Sequence, residues 1–145
     1  MGELDGKVAW VTSGASGMGY ASALRLAEMG AAVAIGSLTE DMAEGRMDPG
    51  QRAFTPAAEA LETSRAAIAK HGVKTCAAPL DITDPESVAT NHAAIVAELG
   101  PVDILINAAG NSGRSPIVAH PDGLWQAMLE VNLTGSYRTT KTCLP

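Results

Sequence analysis

Short, almost wholly apolar runs alternate along this chain with longer alanine-rich stretches. Lys7–Thr12 (KVAWVT) is nearly continuous in apolar character, which predicts a strand buried on both faces, as in a parallel sheet. Gly17–Met29 carries Ala21, Leu24 and Ala27 at helical spacing, and Gly30 follows as a C-terminal cap. Ala32–Gly36 (AVAIG) predicts a second strand. Pro56–His71 predicts a second helix, with Thr55 as cap, Pro56 in the first position and Gly72 as its end. Val73–Leu80 predicts a third strand, and Pro85–Leu99 a third helix that opens on Asp84 and stops at Gly100-Pro101. Val102–Ala108 (VDILINA) predicts a fourth strand. Helical character returns from about Gly123 to the end, with a bend near Asn132–Gly135.

The order is βαβαβαβα. Parallel neighbours need helical crossovers, so the pattern predicts a doubly wound α/β sheet in a single domain over residues 1–145. Leu38–Phe54 breaks the rhythm: it is polar, contains Gly and Pro, and sits where a short connection belongs. It reads as an inserted surface loop with a helical turn at Glu40–Glu44. With 145 residues and 46% apolar content, the chain can bury one core. A net charge of −6 without a basic cluster argues against nucleic acid or an anionic membrane as partner. No apolar run reaches the roughly 18–20 residues of a membrane span. The opening MGELDGKVAW lacks the charged and apolar regions of a secretory signal, so a cytoplasmic location is expected. Cys76 and Cys143 lie far apart and read as free thiols in a reducing compartment. His71, His92 and His120 have no metal-ligand spacing, and no metal is expected.

Candidate chemistry gathers at Thr12-Ser13-Gly14-Ala15-Ser16-Gly17-Met18-Gly19, between the first strand and the first helix. A loop feeding a helix N-terminus collects unpaired N–H groups and the positive end of the macrodipole. Glycines there let the backbone approach a diphosphate with no Cβ in the way. A turn that merely packs helix on strand could use the same glycines.

The segment LDGKVAWVTSGASGMG resembles the opening of the short-chain dehydrogenase/reductase family, whose turn reads T-G-x-x-x-G-x-G. Thr12, Gly17 and Gly19 match; Ser13 stands where the family has its first glycine, and Gly14 is expected to supply the missing flexibility. Three further segments are similar in order and spacing: Leu80-Asp81-Ile82-Thr83-Asp84, Asn107-Ala108-Ala109-Gly110 and Val131-Asn132-Leu133-Thr134-Gly135. The resemblance implies a Rossmann-like sheet of about four strands, incomplete beside the full family sheet. It implies that Ser13, Gly14, Ser16, Gly17, Met18 and Gly19 line a pyrophosphate. It places Asp81 and Ile82 near adenine, and Asn107, Ala108 and Gly110 beside the inner ribose. Asn132 is the implied relay residue of the active site. Turn, strand-end cap and helix-bend roles are the plain alternatives for Asp81, Asn107 and Asn132.

The implied cofactor is NAD(P), and the implied reaction is hydride transfer between nicotinamide and a carbonyl or hydroxyl carbon of a small-molecule substrate. An acid at the end of the second strand would favour NAD by binding the ribose 2′-hydroxyl. Here the chain reads Gly36-Ser37-Leu38; Ser37 can hydrogen-bond a phosphate, so the reading leans to NADP(H). Arg46 or Arg52 could reach in from the inserted loop, though solvated loop charges are the plainer reading. The resemblance also calls for a serine and a Tyr-x-x-x-Lys pair after a fifth strand, beyond Pro145. An unperturbed tyrosine titrates near pH 10, which is why a neighbouring lysine is needed. Tyr137-Arg138-Thr139-Thr140-Lys141 has those letters but lies on the helix of Asn132, and is rejected as the pair. The 145-residue chain is therefore expected to be the truncated cofactor portion, without turnover by itself. A non-catalytic nucleotide-binding module and an inert remnant are the alternatives. The open strand edge and last helix lead to the expectation of a homo-oligomer in the intact form.

Overall fold

The computed structural model describes residues 2–44 and 55–144. Arg46, Arg52 and most of the 38–54 insertion lie outside the described residues. In chain order the elements are β1 (Val8–Thr12), α1 (Gly17–Glu28), β2 (Ala32–Ser37), α2 (Glu40–Ala43), α3 (Ala58–Ala69), β3 (Thr75–Pro79), α4 (Pro85–Leu99) and β4 (Ile104–Asn107). A 3₁₀ turn (Ile117–Ala119) leads into α5 (Asp122–Leu129), a π-helical turn (Glu130–Gly135) and α6 (Ser136–Cys143).

The four strands form one parallel sheet in the order β3-β2-β1-β4. This is a Rossmann-like doubly wound α/β fold. Side chains alternate across the sheet. Ala9 and Val11 of β1 face one layer, with Val33 and Ile35 of β2 and Ala23, Ala27, Leu61 and Ile68 from α1 and α3. Val8 and Trp10 face the other, with Ala34, Leu80, Val88 and Ile95. There α4 packs beside α6. All five β1 residues are buried, as an apolar run in the middle of a parallel sheet requires.

The caps follow the sequence closely in two places. Gly30 takes φ 99°, and the N–H groups of Gly30 and Ala31 donate to the carbonyls of Ala27 and Leu26 at 3.0 and 3.1 Å, a Schellman closure of α1. Asp84 accepts from the Glu86 N–H at 3.0 Å, and α4 begins at Pro85. Elsewhere the structure corrects the sequence. The inward face of α1 is Gly19, Ala23 and Ala27, while Ala21 faces out; this smaller stripe seats the helix close to the sheet. Helix α3 starts at Ala58 behind an N-cap Ala57 whose side chain makes no cap, so neither Thr55 nor Pro56 opens it. The Pro56 carbonyl instead accepts from the Glu40 N–H at 3.1 Å, which ties it to α2. The expected bend near residues 132–135 is the π turn, with one wide turn between two α-helical segments.

Asp103 fastens β4 to β1. Its carboxylate accepts from the Val8 N–H and from Lys7 Nζ, each at 2.9 Å, while its own N–H donates to the Val8 carbonyl at 2.9 Å. The Val8 N–H, then Lys7, hold the Asp103 carboxyl below its usual 3.8. A depressed carboxyl stabilises the fold above its unfolded pKa, and that contribution is lost as pH falls through the folded value. Asp103→Asn is therefore expected to lower the urea midpoint at pH 7 and to flatten its decline below about pH 4. An unchanged acid limb would show that this contact contributes nothing.

Candidate functional site

Residues 12–19 build a compact turn on the rim of the sheet. Thr12 Oγ1 accepts from the N–H groups of Ala108 and Ala109 at 3.1 and 3.0 Å, which latches the end of β1 to the segment after β4. Ser13 has φ 56° and is the sole non-glycine with positive φ among the described residues. The left-handed conformation thus falls on Ser13, and Gly14 does not supply it. Such a conformation costs a side-chain-bearing residue roughly 1–2 kcal/mol. Gly14 serves packing instead: a Cβ there would sit 2.5 Å from Ile35 Cγ2. The Gly14 N–H donates to the Gly36 carbonyl at 3.1 Å. Behind the turn, Ser37 Oγ accepts from the Ala15 N–H at 3.0 Å, and the Ser64 hydroxyl donates to the Ala15 carbonyl at 3.3 Å. Gly17 takes φ 53°, and a Cβ on it would meet nothing within 4 Å. A Cβ on Gly19 would run into the Ser13 carbonyl. Ser16 is the N-cap of α1, yet its side chain caps nothing and the first turn holds no acid. The helix end is therefore open to an anion.

A cavity of about 570 Å³ opens at the carboxyl ends of all four strands. Its wall takes residues from the turn, from Leu38 after β2, from residues 80–83 after β3, from residues 108–112 after β4, and from α5 and the π turn. Of the residues singled out in the sequence, Ser13, Met18, Asp81, Ile82, Ala108 and Gly110 line it together. Asp81 is buried; its Oδ1 accepts from the N–H and the hydroxyl of Thr83 at 2.8 and 2.6 Å, which orients the carboxylate on the wall. Others stand behind the wall. Ser37 is 2% exposed, with its hydroxyl engaged by the turn. Asn107 accepts from the Thr139 hydroxyl at 2.6 Å and donates to Thr140 at 3.2 Å, which docks β4 on α6. Asn132 grips the Asn111 backbone at two points: Oδ1 accepts from the Asn111 N–H and Nδ2 donates to the Asn111 carbonyl, each at 2.9 Å.

Three contributors are not apparent from the sequence. Asn111 lines the cavity, and its Oδ1 is buried without a protein partner. Arg138 donates to the Ile82 carbonyl at 3.3 Å and pairs with Glu130 at 2.6 Å, joining the segment after β3 to the π turn. The buried Thr139 hydroxyl meets Asn107 across more than thirty residues of chain, a pairing that no local pattern announces. The Tyr137–Lys141 pair stands off the cavity wall. Tyr137 is 59% exposed, and Lys141 Nζ lies 5.7 Å from the centre of its ring. Burial pushes the Cys76 thiol up to about 11 and raises Cys143 as well, so both stay protonated near neutrality. Among the described residues no cluster of His, Cys, Asp or Glu could hold a metal, and no helix is long and apolar enough to cross a membrane.

A Rossmann-like sheet with an uncapped, glycine-turned helix end at a rim cavity defines a protein of the doubly wound α/β class. The profile of the family described as short chain dehydrogenase matches residues 7–145. The chain belongs to this family, the short-chain dehydrogenases/reductases. It is 32% identical over 147 aligned residues to (−)-trans-carveol dehydrogenase of Rhodococcus erythropolis, covering 100% of this chain and 50% of that protein. It is 35% identical over 149 residues to 2,5-dichloro-2,5-cyclohexadiene-1,4-diol dehydrogenase LinX of Sphingobium indicum, covering 98% of this chain and 50% of that protein. The crystal structure of NAD+-bound xylitol dehydrogenase matches with a TM-score of 0.81 at 30% identity, over 97% of this chain and 48% of that one. The chain thus spans about half the length of the curated relatives it matches.

Proposed function

We propose that this chain is the cofactor-binding portion of an NAD(P)-dependent oxidoreductase that acts on a small carbonyl or hydroxyl substrate. The observation that carries the reading is the open end of α1: uncapped amides, a left-handed Gly17 whose missing Cβ leaves free space, and a cavity spanning the strand rim. Those features fit a dinucleotide. The amides of residues 16–19 hold its diphosphate, since those of Gly14 and Ala15 are bonded to β2; Gly17 keeps the approach clear and Gly19 lets the helix seat against the turn. Asp81 and Ile82 border the adenine, and Ala108 and Gly110 the inner ribose. Asn107 and Ser37 act from behind the wall, and Asn132 is the relay residue that also fixes the Asn111 backbone. When bound, the nicotinamide supplies the hydride exchanged with the substrate carbon.

NADP(H) is the preferred form in this reading. The position that ends β2 carries no carboxylate in Ser37-Leu38-Thr39, so the acid that would select the 2′-hydroxyl of NAD is missing there. Because the Ser37 hydroxyl is committed to Ala15, the preference rests on the missing acid rather than on Ser37. The half-exposed Trp125 and exposed Leu133 and Tyr137 support a homo-oligomer of the intact form, which we place in the cytoplasm with no nucleic acid or membrane partner. A second reading, binding without catalysis, is favoured for the chain by itself: no tyrosine, lysine or histidine is among the described residues of the cavity wall.

Titration of the 145-residue chain with NADPH and NADH, followed by calorimetry, tests the proposal. Saturable binding is expected for both, tighter for NADPH. Gly17→Val, which places a branched side chain over the open amides, is expected to weaken binding by at least about tenfold; the φ of 53° also strains it, so the thermal midpoint falls while the circular dichroism spectrum below the transition stays native. Absence of saturable binding by the unmodified chain would overturn the reading.

A further inference from the structure

Three observations converge on Ser13. First, it holds a left-handed φ of 56° with a side chain attached, in a turn that glycine would occupy without strain. Strain of this kind persists where a side chain has work to do at a site. Second, its residue lines the rim cavity, and its hydroxyl has no partner among the described residues. Third, it stands on the β2 side of the cavity: the next two residues are bonded to the end of β2, Gly14 N–H to the Gly36 carbonyl and Ala15 N–H to Ser37 Oγ. The end of the second strand is where a doubly wound fold meets the adenosine ribose. Here Ser37-Leu38-Thr39 offers no carboxylate, and both of its hydroxyls, on Ser37 and Thr39, are buried, that of Ser37 under the Ala15 amide.

We infer that Ser13 is the ribose-contacting residue of this chain, a neutral hydroxyl standing in for the missing acid. Resting on the proposed dinucleotide site, it assigns Ser13 a task that the backbone of the turn cannot perform. A serine hydroxyl both donates and accepts, so it can bond a ribose hydroxyl or a 2′-phosphate oxygen. The phosphate contact is charge-assisted and the stronger of the two. Ser13 therefore favours NADPH over NADH without excluding either.

The test compares Ser13→Gly and Ser13→Ala with the unmodified chain, reading affinity for NADPH and NADH by calorimetry and thermal midpoint by circular dichroism. Ser13→Gly relieves the left-handed strain and is expected to raise the midpoint, yet to weaken NADPH binding about fivefold to tenfold. Ser13→Ala keeps the strain, loses the hydroxyl, and is expected to show the same weakening with no gain in midpoint. NADH binding is expected to fall less in both. A merely structural serine would leave affinity unchanged in Ser13→Ala, and that result would overturn the inference. If the unmodified chain binds neither nucleotide, the site reading fails and this inference fails with it. Binding by the unmodified chain with unchanged variants sinks the inference alone.

Discussion

Trp10→Ala is expected to remove about 3–5 kcal/mol of folding stability, the largest loss from any single truncation in this chain. Trp10 is 0% exposed at the middle of β1, which lies between β2 and β4. Its ring fills the layer between the sheet and α4, among Leu80, Val88 and Ile95, with the His92 ring centred 5.7 Å away. Few neighbours can move in to fill the gap, because Val88, His92 and Ile95 are held by α4 and Leu80 is tied to the Ser37 carbonyl at 2.9 Å. Domains of this size are stable by only about 5–15 kcal/mol, so the variant should be largely unfolded on mild heating or in low denaturant. Trp10→Phe gives the contrast. The indole Nε1 is buried without a partner, so phenylalanine removes an unsatisfied donor while it keeps most of the ring. Urea midpoints of the two variants decide the matter: equal, small losses would show that Trp10 is not a keystone of the core.

The second large effect is on chemistry. The 145-residue chain is expected to bind nucleotide yet reduce no carbonyl above background, even with substrates of the dehydrogenases it resembles. Moving a hydride requires that a proton be moved too, by a group placed at the reacting oxygen with a pKa near the working pH. The titratable groups on the described wall are Asp81 and Glu130. Asp81 is oriented by Thr83, and Glu130 pairs with Arg138. Both carboxylates are thus committed to protein partners. Tyr137 is solvent-facing, and Lys141 lies by its ring rather than being brought to the cavity. Steady-state assays with NADPH and a panel of ketones check this. Turnover that is abolished by Tyr137→Phe would overturn it and place that pair in the mechanism.

Much of this architecture is legible in local pattern. The β1 run declares burial on both faces, the Asp84-Pro85 start of α4 and the Gly30 closure of α1 declare their helix ends, and the order of strands and helices declares the parallel sheet. The 12–19 turn is legible because its position, between buried strand and helix, carries the meaning. What escapes the sequence is decided by partners distant in the chain. Nothing local says that the Pro56 carbonyl is claimed by Glu40, which leaves α3 to begin later. The exchange of roles between Ser13 and Gly14 follows from how close Ile35 comes, a fact of tertiary packing. Ser37 reads as a ribose ligand by its place at the end of β2, yet the same place puts its hydroxyl under the Ala15 amide. Asn111 and Arg138 enter the site through contacts with Asn132 and Ile82, which spacing does not encode.

The latch between Thr12 and the amides of Ala108 and Ala109 joins positions 96 and 97 residues apart. Closing so long a loop is entropically unfavourable and is rewarded only when β4 docks beside β1, so these contacts raise the contact order and slow the search for the native state. The first three strands can assemble from nearer neighbours, but one wall of the cavity does not exist until that last strand arrives. The cavity is therefore complete only when the sheet is.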